Sequence, residues 1–306
     1  MDDKWFICDF YGNILKEAPE DIQKKIKEYA KSLNKDQNIN ELPLITVITV
    51  VLNGAKTLEE TIQSVINQTY PNVEYIIIDG NSTDGTLDII KRYEDYIDYW
   101  VSEKDKGIYD AMNKGIKCSI GIFLGIINAD DWYDVSAVYN VVNNYLLNDN
   151  VDIFFGDLYY IHSNTALYKV IKSSLKKLKI DMTLNHPTCF VKNNLYKEKL
   201  FNIHYKFSAD YELMCYFFTR QKRFYNLNCL IAYMRSGGAS YKNAFKTAYE
   251  GFKIQKRFYS LWPSLCFFLR SLVLVSVRII TLSAFPERIL RIAYYLRGYK
   301  YKGNKT

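Results

Sequence analysis

The chain has 306 residues, 49% of them hydrophobic and 24% charged, which is ordinary for a globular protein and excludes a largely disordered one. Its formal charge of +7 is unevenly placed: residues 241 to 306 hold 13 Lys/Arg against two acids, Glu250 and Glu287, and residues 1 to 240 carry a balance of −4. A slightly acidic body followed by a basic, apolar tail fits an anionic membrane surface and argues against a nucleic-acid partner.

Six cysteines without a CxxC pair or regular spacing point to neither a zinc site nor a disulfide framework. The acidic start MDDKWFICDF shows no secretory leader, so cytoplasmic residence is expected, peripheral on the inner face of the membrane. Residues 1 to 43 read as an N-terminal helical extension, with one amphipathic helix over DIQKKIKEYAKSLNKDQNINE and a polar linker closed by Pro43.

From Leu44 the texture changes. LITVITVVLN is a continuous apolar, β-branched run with the length of a buried strand, and AKTLEETIQSVINQTY after it has helical periodicity up to Pro71. VEYIIID is a second strand, followed by the polar turn GNSTDG and the helical TLDIIKRYEDY. YWVSEKD, IYDAMNKGIKCS and IGIFLGIINADD then read as strand, helix and strand. This alternation predicts an α/β domain with a mostly parallel sheet and right-handed crossovers. Ligands on such sheets gather at the carboxyl ends of the strands, where Asn53, Asp79, Asp105 and Asp130 are all expected. Further on, VDIFFGDLYYIH and HPTCFV read as strands, LYKVIKSSLKKLKI as a basic mobile stretch, and DYELMCYFFTR as a helix.

Three familiar phosphate and metal devices are excluded. Counted from Asp79, a calcium loop would need Gly where Asp84 stands and Glu where Ile90 stands. Neither a GxxxxGK[ST] loop nor GxGxxG follows the first strand. Adjacent Asp130 and Asp131 after an apolar strand offer another device, a carboxylate site for a hard divalent cation that bridges phosphate oxygens.

Taken together, VITVVLNGAKTLEETIQSVINQTYPNVEYIIIDGNSTDGT, SEKDKGIYDAMNKGI and NADD resemble the donor half of the family 2 inverting glycosyltransferases, over roughly residues 44 to 240. The resemblance implies the GT-A nucleotide-sugar-binding fold and transfer from a nucleoside-diphosphate sugar, with UDP favoured, to a glycan or lipid-linked glycan. It implies that Val51, Leu52 and Asn53 border the nucleotide, that Asp79 meets its base and that Asp105 lines the same pocket. Asp130 matches the metal-binding member of the family's DxD motif, for Mg²⁺ or Mn²⁺, with Asp131 a second candidate. Asn128 stands where that motif has its first Asp, an uncharged substitute that lowers metal affinity.

FSADYELMCYF resembles the segment that supplies the catalytic base, implying Asp210 in that role with Glu212 as fallback; Ala209 replaces the usual preceding Glu. His186 in NHPTCF and Arg235 in the glycine-rich MRSGGAS are implied contacts to diphosphate or acceptor, and Asp157 is a further acceptor-side candidate. Because Asn128 and Ala209 depart from the pattern, the alternative is a noncatalytic nucleotide-sugar-binding or membrane-adaptor protein.

The tail from residue 241 includes FYSLWPSLCFFLRSLVLVSVRIITLSAF, in which Arg270 and Arg278 leave no uncharged run near the ~18 residues a membrane span needs. Eight residues apart, the two Arg fall within roughly 80° of each other on a helix. That spacing predicts an amphipathic helix, either in the plane of an anionic membrane or packed on the body of the protein.

Overall fold

The computed structural model describes residues 6–8, 14–17, 42–161, 167–284 and 300–301. At the N-terminus β1 (Phe6–Cys8) and β2 (Ile14–Glu17) pair antiparallel, whereas the helix expected over residues 21 to 41 lies outside the described residues. The alternation predicted from Leu44 then appears as β3 (Ile45–Val51), α1 (Leu58–Ile66), β4 (Val73–Asp79), α2 (Thr86–Arg92), β5 (Tyr99–Ser102), α3 (Ile108–Cys118) and β6 (Phe123–Asn128).

β3 lies between β4 and β6, parallel to both, and β5 continues the parallel set beyond β4. All seven residues of β3 are buried because helices cover both faces of the sheet. Ile45, Val47 and Val51 pack with Leu58, Ile62 and Val65 of α1. Ile48 and Val50 pack with Tyr109, Met112 and Ile116 of α3 on the opposite face. A strand apolar on both faces reads as an unbroken hydrophobic run, which is why it was legible as a parallel core strand.

The second half turns antiparallel. It comprises β7 (Trp132–Tyr133), α4 (Ala137–Leu147), β8 (Ile153–Ile161), β9 (Leu167–Ile171), β10 (Phe190–Lys192), α5 (Asn193–Glu198), α6 (Ala209–Thr219) and β11 (Phe224–Arg235). β10 sits between β6 and β8, antiparallel to both, and β9 continues the sheet from β8. β11 runs parallel to β8 along its other side and also pairs with β7. The stretch expected to be mobile instead contains β9 and a 3₁₀ turn at Leu175–Lys177. β11 escaped the sequence reading because its register shifts around Asn228, which has φ 53°, break the alternation by which a strand is recognised.

Gly125 of β6 leaves room for the Phe190 ring and the Tyr133 hydroxyl, which would stand 2.5 and 2.7 Å from an added Cβ. Gly125→Ala is therefore expected to lower stability by about 1–3 kcal/mol through overpacking, read as a lower unfolding midpoint in urea.

The tail begins with α7 (Ala239–Lys242), α8 (Ala244–Phe258) and α9 (Leu261–Ala284), and β12 (Lys300–Tyr301) pairs with β9. α8 is part of the body: its Ile254 and Gln255 are fully buried, Gln255 hydrogen-bonds the Tyr211 hydroxyl of α6, and Arg257 pairs with Glu212 at 3.0 Å. α9 lies against α8 with the Phe267 ring over Gly251, and its Arg270 pairs with Asp181. Among the described residues no helix is long and apolar enough to cross a membrane.

Candidate active site

A cleft of about 1120 Å³ opens at the carboxyl ends of β3 and β6, bounded by the starts of α3 and α6 and by the tail helices. It is lined by Val51, Leu52, Asn53, Asp105, Asn128, Asp130, Asp131, His186, Asp210 and Arg235, so nearly every residue singled out from the sequence meets in one cavity.

The loops after β3 and β4 are interlocked. Asn53, with φ 52°, accepts the Thr83 amide at 2.9 Å and donates its own amide to Ser82 Oγ at 2.7 Å. Asp79 does not line the cleft. It is fully buried beneath the rim, where it accepts Ser82 N at 2.9 Å and the Ser102 hydroxyl at 2.5 Å, and it also binds the Ser82 hydroxyl. Its carboxylate shapes the rim loops. Asp105 accepts the Gly107 amide at 2.7 Å and packs against Gly80, where an added Cβ would meet Oδ2 at 2.5 Å.

At the end of β6 two acids and an amide crowd together. Burial pushes the Asp130 carboxyl above its usual range, and nearby Arg235 and Lys242 only partly counter this. Asp131, 2% exposed, is pushed up further by burial and then by its neighbour Asp130. Asp131 already has partners, accepting the Arg235 amide at 3.1 Å and the Asn128 side-chain amide at 3.4 Å. Asn128 Oδ1 is buried without a hydrogen-bond partner.

An under-compensated carboxylate and an orphaned amide oxygen suit a hard divalent cation. Among the described residues no three His, Cys, Asp or Glu side chains gather to hold a metal. Magnesium-type sites that share substrate phosphates need only one or two protein carboxylates. Asp130, with the Asn128 oxygen, fits that requirement, whereas Asp131 is occupied by the backbone it braces.

Arg235 closes this end. Its guanidinium donates to the Asp130 carbonyl at 2.6 Å, pairs with Glu60 of α1 and lies 4.4 Å from the centre of the Trp132 ring. Trp132 stacks in turn on Tyr233, 5.3 Å away and nearly parallel. The Arg is thus held beside the acid turn by a carboxylate and an aromatic face.

Asp210 occupies the first turn of α6, partly open to the cleft. Its Oδ1 accepts the Tyr211 amide at 2.9 Å and the Tyr109 hydroxyl at 3.1 Å. Burial pushes its carboxyl up to about 6, against the lowering effect of those hydrogen bonds. A base so placed is ionised only above that value. Turnover governed by it is expected to fall about tenfold per pH unit below 6 and to level off above, which a kcat/KM profile over pH 4.5–8 would reveal.

The fallback Glu212 faces away from the cleft: fully buried, it pairs with Arg257 at 3.0 Å and Lys199 at 3.6 Å and ties α6 to α8. His186 lines the cleft with its Nε2 unpartnered, and burial lowers its pKa to about 4, so it is a neutral imidazole at pH 7. Asp157 accepts the Ser173 amide at 3.2 Å and does not line the cleft. The sequence reading missed Tyr109, Lys206, Asp181 and the α9 residues Phe267, Ser271, Leu274 and Val275, all of which line the cavity. For Tyr109 the only signal was its place in the IYDAMNKGI segment.

Residues 46–232 match the family model described as Glycosyl transferase family 2. An uncharacterized glycosyltransferase of Rickettsia prowazekii (strain Madrid E) is 30% identical over 207 residues, which cover 64% of each chain. The chain thus spans a little under two thirds of that relative's length. The fold is shared with S. aureus TarS 1-349 in complex with UDP-GlcNAc, at a TM-score of 0.60 and 15% identity over 80% of this chain and 77% of that one. It is also shared with the mannosyltransferase PcManGT from Pyrobaculum calidifontis in complex with GDP-Man and Mn²⁺, at a TM-score of 0.56 and 16% identity over 92% and 89%.

Proposed function

The chain belongs to glycosyl transferase family 2, and on that premise we propose that it moves a sugar, with inversion, from a nucleoside-diphosphate sugar to a hydroxyl of a glycan or lipid-linked glycan. The observation that carries the reading is the presence of two acids of different character in one cleft: Asp130 beside Arg235 at the strand ends, and Asp210 on α6.

In this reading the nucleotide lies along Val51 to Asn53 and Asp105, with UDP the favoured donor. Asp210 takes the proton of the acceptor hydroxyl as that oxygen attacks the anomeric carbon, and the bond to the diphosphate breaks on the opposite side. The Tyr109 and Tyr211 donors on Oδ1 support this role, since they leave Oδ2 to receive the proton. Asp130, with the Asn128 oxygen, would hold Mg²⁺ or Mn²⁺, which when bound neutralises charge on the diphosphate. Arg235 adds a second positive charge at that end. A neutral His186 in the wall offers a hydrogen bond to acceptor or diphosphate without adding charge.

The test is release of nucleoside diphosphate from a UDP-sugar in the presence of a lipid-linked glycan fraction, with the anomeric configuration of the product read by NMR. Inverted product, lost in Asp210→Asn, is expected. Retained configuration, or the same release from the Asp210→Asn variant, contradicts the reading, and donor binding without transfer favours the noncatalytic alternative.

A further inference from the structure

α9 has two unlike faces. Ser264 and Phe267 are buried toward α8 and the cleft, while Trp262, Leu269 and Val273 are 76%, 54% and 61% exposed. At about 100° per residue those three fall within roughly 40° of one another, a single apolar stripe pointing away from the body. α8 beside it exposes Phe245 and Tyr249 together with Lys246, Lys253 and Lys256.

The charge balance of the hairpin is one-sided. Between Ala239 and Ala284 the chain has Lys242, Lys246, Lys253, Lys256, Arg257, Arg270 and Arg278 against one acid, Glu250. Glu250 is committed inward, accepting the Lys206 amide at 2.8 Å and the Phe207 amide at 2.9 Å. Exposed aromatic and aliphatic side chains flanked by lysines are the composition of a helix lying in the interface of a negatively charged bilayer.

We propose that the α8–α9 hairpin docks on an anionic lipid bilayer through Trp262, Leu269 and Val273, with Lys246, Lys253 and Lys256 at the headgroups. The same helix supplies Phe267, Ser271, Leu274 and Val275 to the wall of the cleft. Docking therefore opens the cleft beside the bilayer, where an acceptor anchored by a lipid chain presents its sugar. This last step rests on the glycosyl-transfer reading; docking itself does not.

The experiment is co-sedimentation of the full chain with phosphatidylglycerol/phosphatidylcholine vesicles and with phosphatidylcholine alone, for wild type, the triple variant Trp262→Ser/Leu269→Ser/Val273→Ser, and the double variant Lys253→Glu/Lys256→Glu. Binding to anionic vesicles that weakens with salt and falls more than about tenfold in each variant is expected. Quenching of tryptophan fluorescence by brominated lipid should be largely lost in Trp262→Phe. Undiminished binding of both variants, no binding of wild type to anionic vesicles, or a dimer in sedimentation equilibrium that Trp262→Ser dissociates would overturn docking. Donor binding measured without vesicles separates the two readings. A chain that binds donor but no vesicle removes docking alone, whereas one that binds vesicles but no donor removes the transferase reading alone.

Discussion

Asp210→Asn is expected to lower kcat by about 10²- to 10⁴-fold while leaving donor affinity unchanged, because it removes the proposed general base and keeps the shape of the side chain. The geometry makes the loss specific. Asp210 stands on α6 and Asp130 at the end of β6, and an Asn retains an oxygen to accept the Tyr211 and Tyr109 donors.

Stability separates this loss from a folding defect. A carboxyl held at about 6 in the folded protein has been raised above the ordinary 3.9 of an unfolded Asp, so its contribution is most favourable below pH 4 and is lost as pH rises through 6. At pH 7 the wild type carries this ionised, poorly hydrated group and the Asn variant does not. The variant should therefore unfold at the same temperature or higher at pH 7, and a marked fall in Tm would assign its inactivity to damage. The same sign predicts that the Tm difference between variant and wild type shrinks as pH is lowered from 7 to 4.

The second large effect is expected at Asp130. Removing the carboxylate in Asp130→Ala should abolish the metal dependence of donor binding and lower turnover by more than about a hundredfold, since charge neutralisation at a leaving diphosphate supplies several kcal/mol and each 1.36 kcal/mol is tenfold in rate. Asp131→Ala should behave differently. Asp131 accepts the Arg235 amide and braces the acid turn, so its loss should disturb the order of that turn and the position of Arg235 before it affects metal affinity. Equal metal dependence in wild type and Asp130→Ala would place the metal on other ligands, and no metal dependence in wild type would assign diphosphate neutralisation to Arg235 and Lys242 instead.

Much of the proposed donor half was legible for a definite physical reason. β3, β4 and β6 are covered on both faces, so their residues form continuous apolar runs, and the acids that follow them fall at one rim. The strand-end rule gives the rim but not the direction of a side chain. Asp79 obeys it in position, yet its oxygens are taken by Ser82 and Ser102, contacts set by loop packing and invisible in the spacing.

The proposed acceptor side was less legible because it is assembled from distant segments. Tyr109 reads as a core aromatic of an amphipathic helix, and at 8% exposure it is one; only the placement of α6 brings its hydroxyl to Asp210. Glu60 reads as a solvated helix residue, and its pairing with Arg235 spans 175 positions. The division of α9 between cleft and solvent depends on which face α8 covers, which periodicity alone does not say.

The most direct measurement is calorimetric titration of UDP-, dTDP- and GDP-sugars, with and without Mn²⁺, into wild type, Asp130→Ala and Asp210→Asn. Binding of one donor class that requires metal, is lost in Asp130→Ala and is unchanged in Asp210→Asn is the expected result. Wild type that binds none of these donors, or an Asp130→Ala variant that binds as wild type does, would contradict a donor site at the ends of β3 and β6.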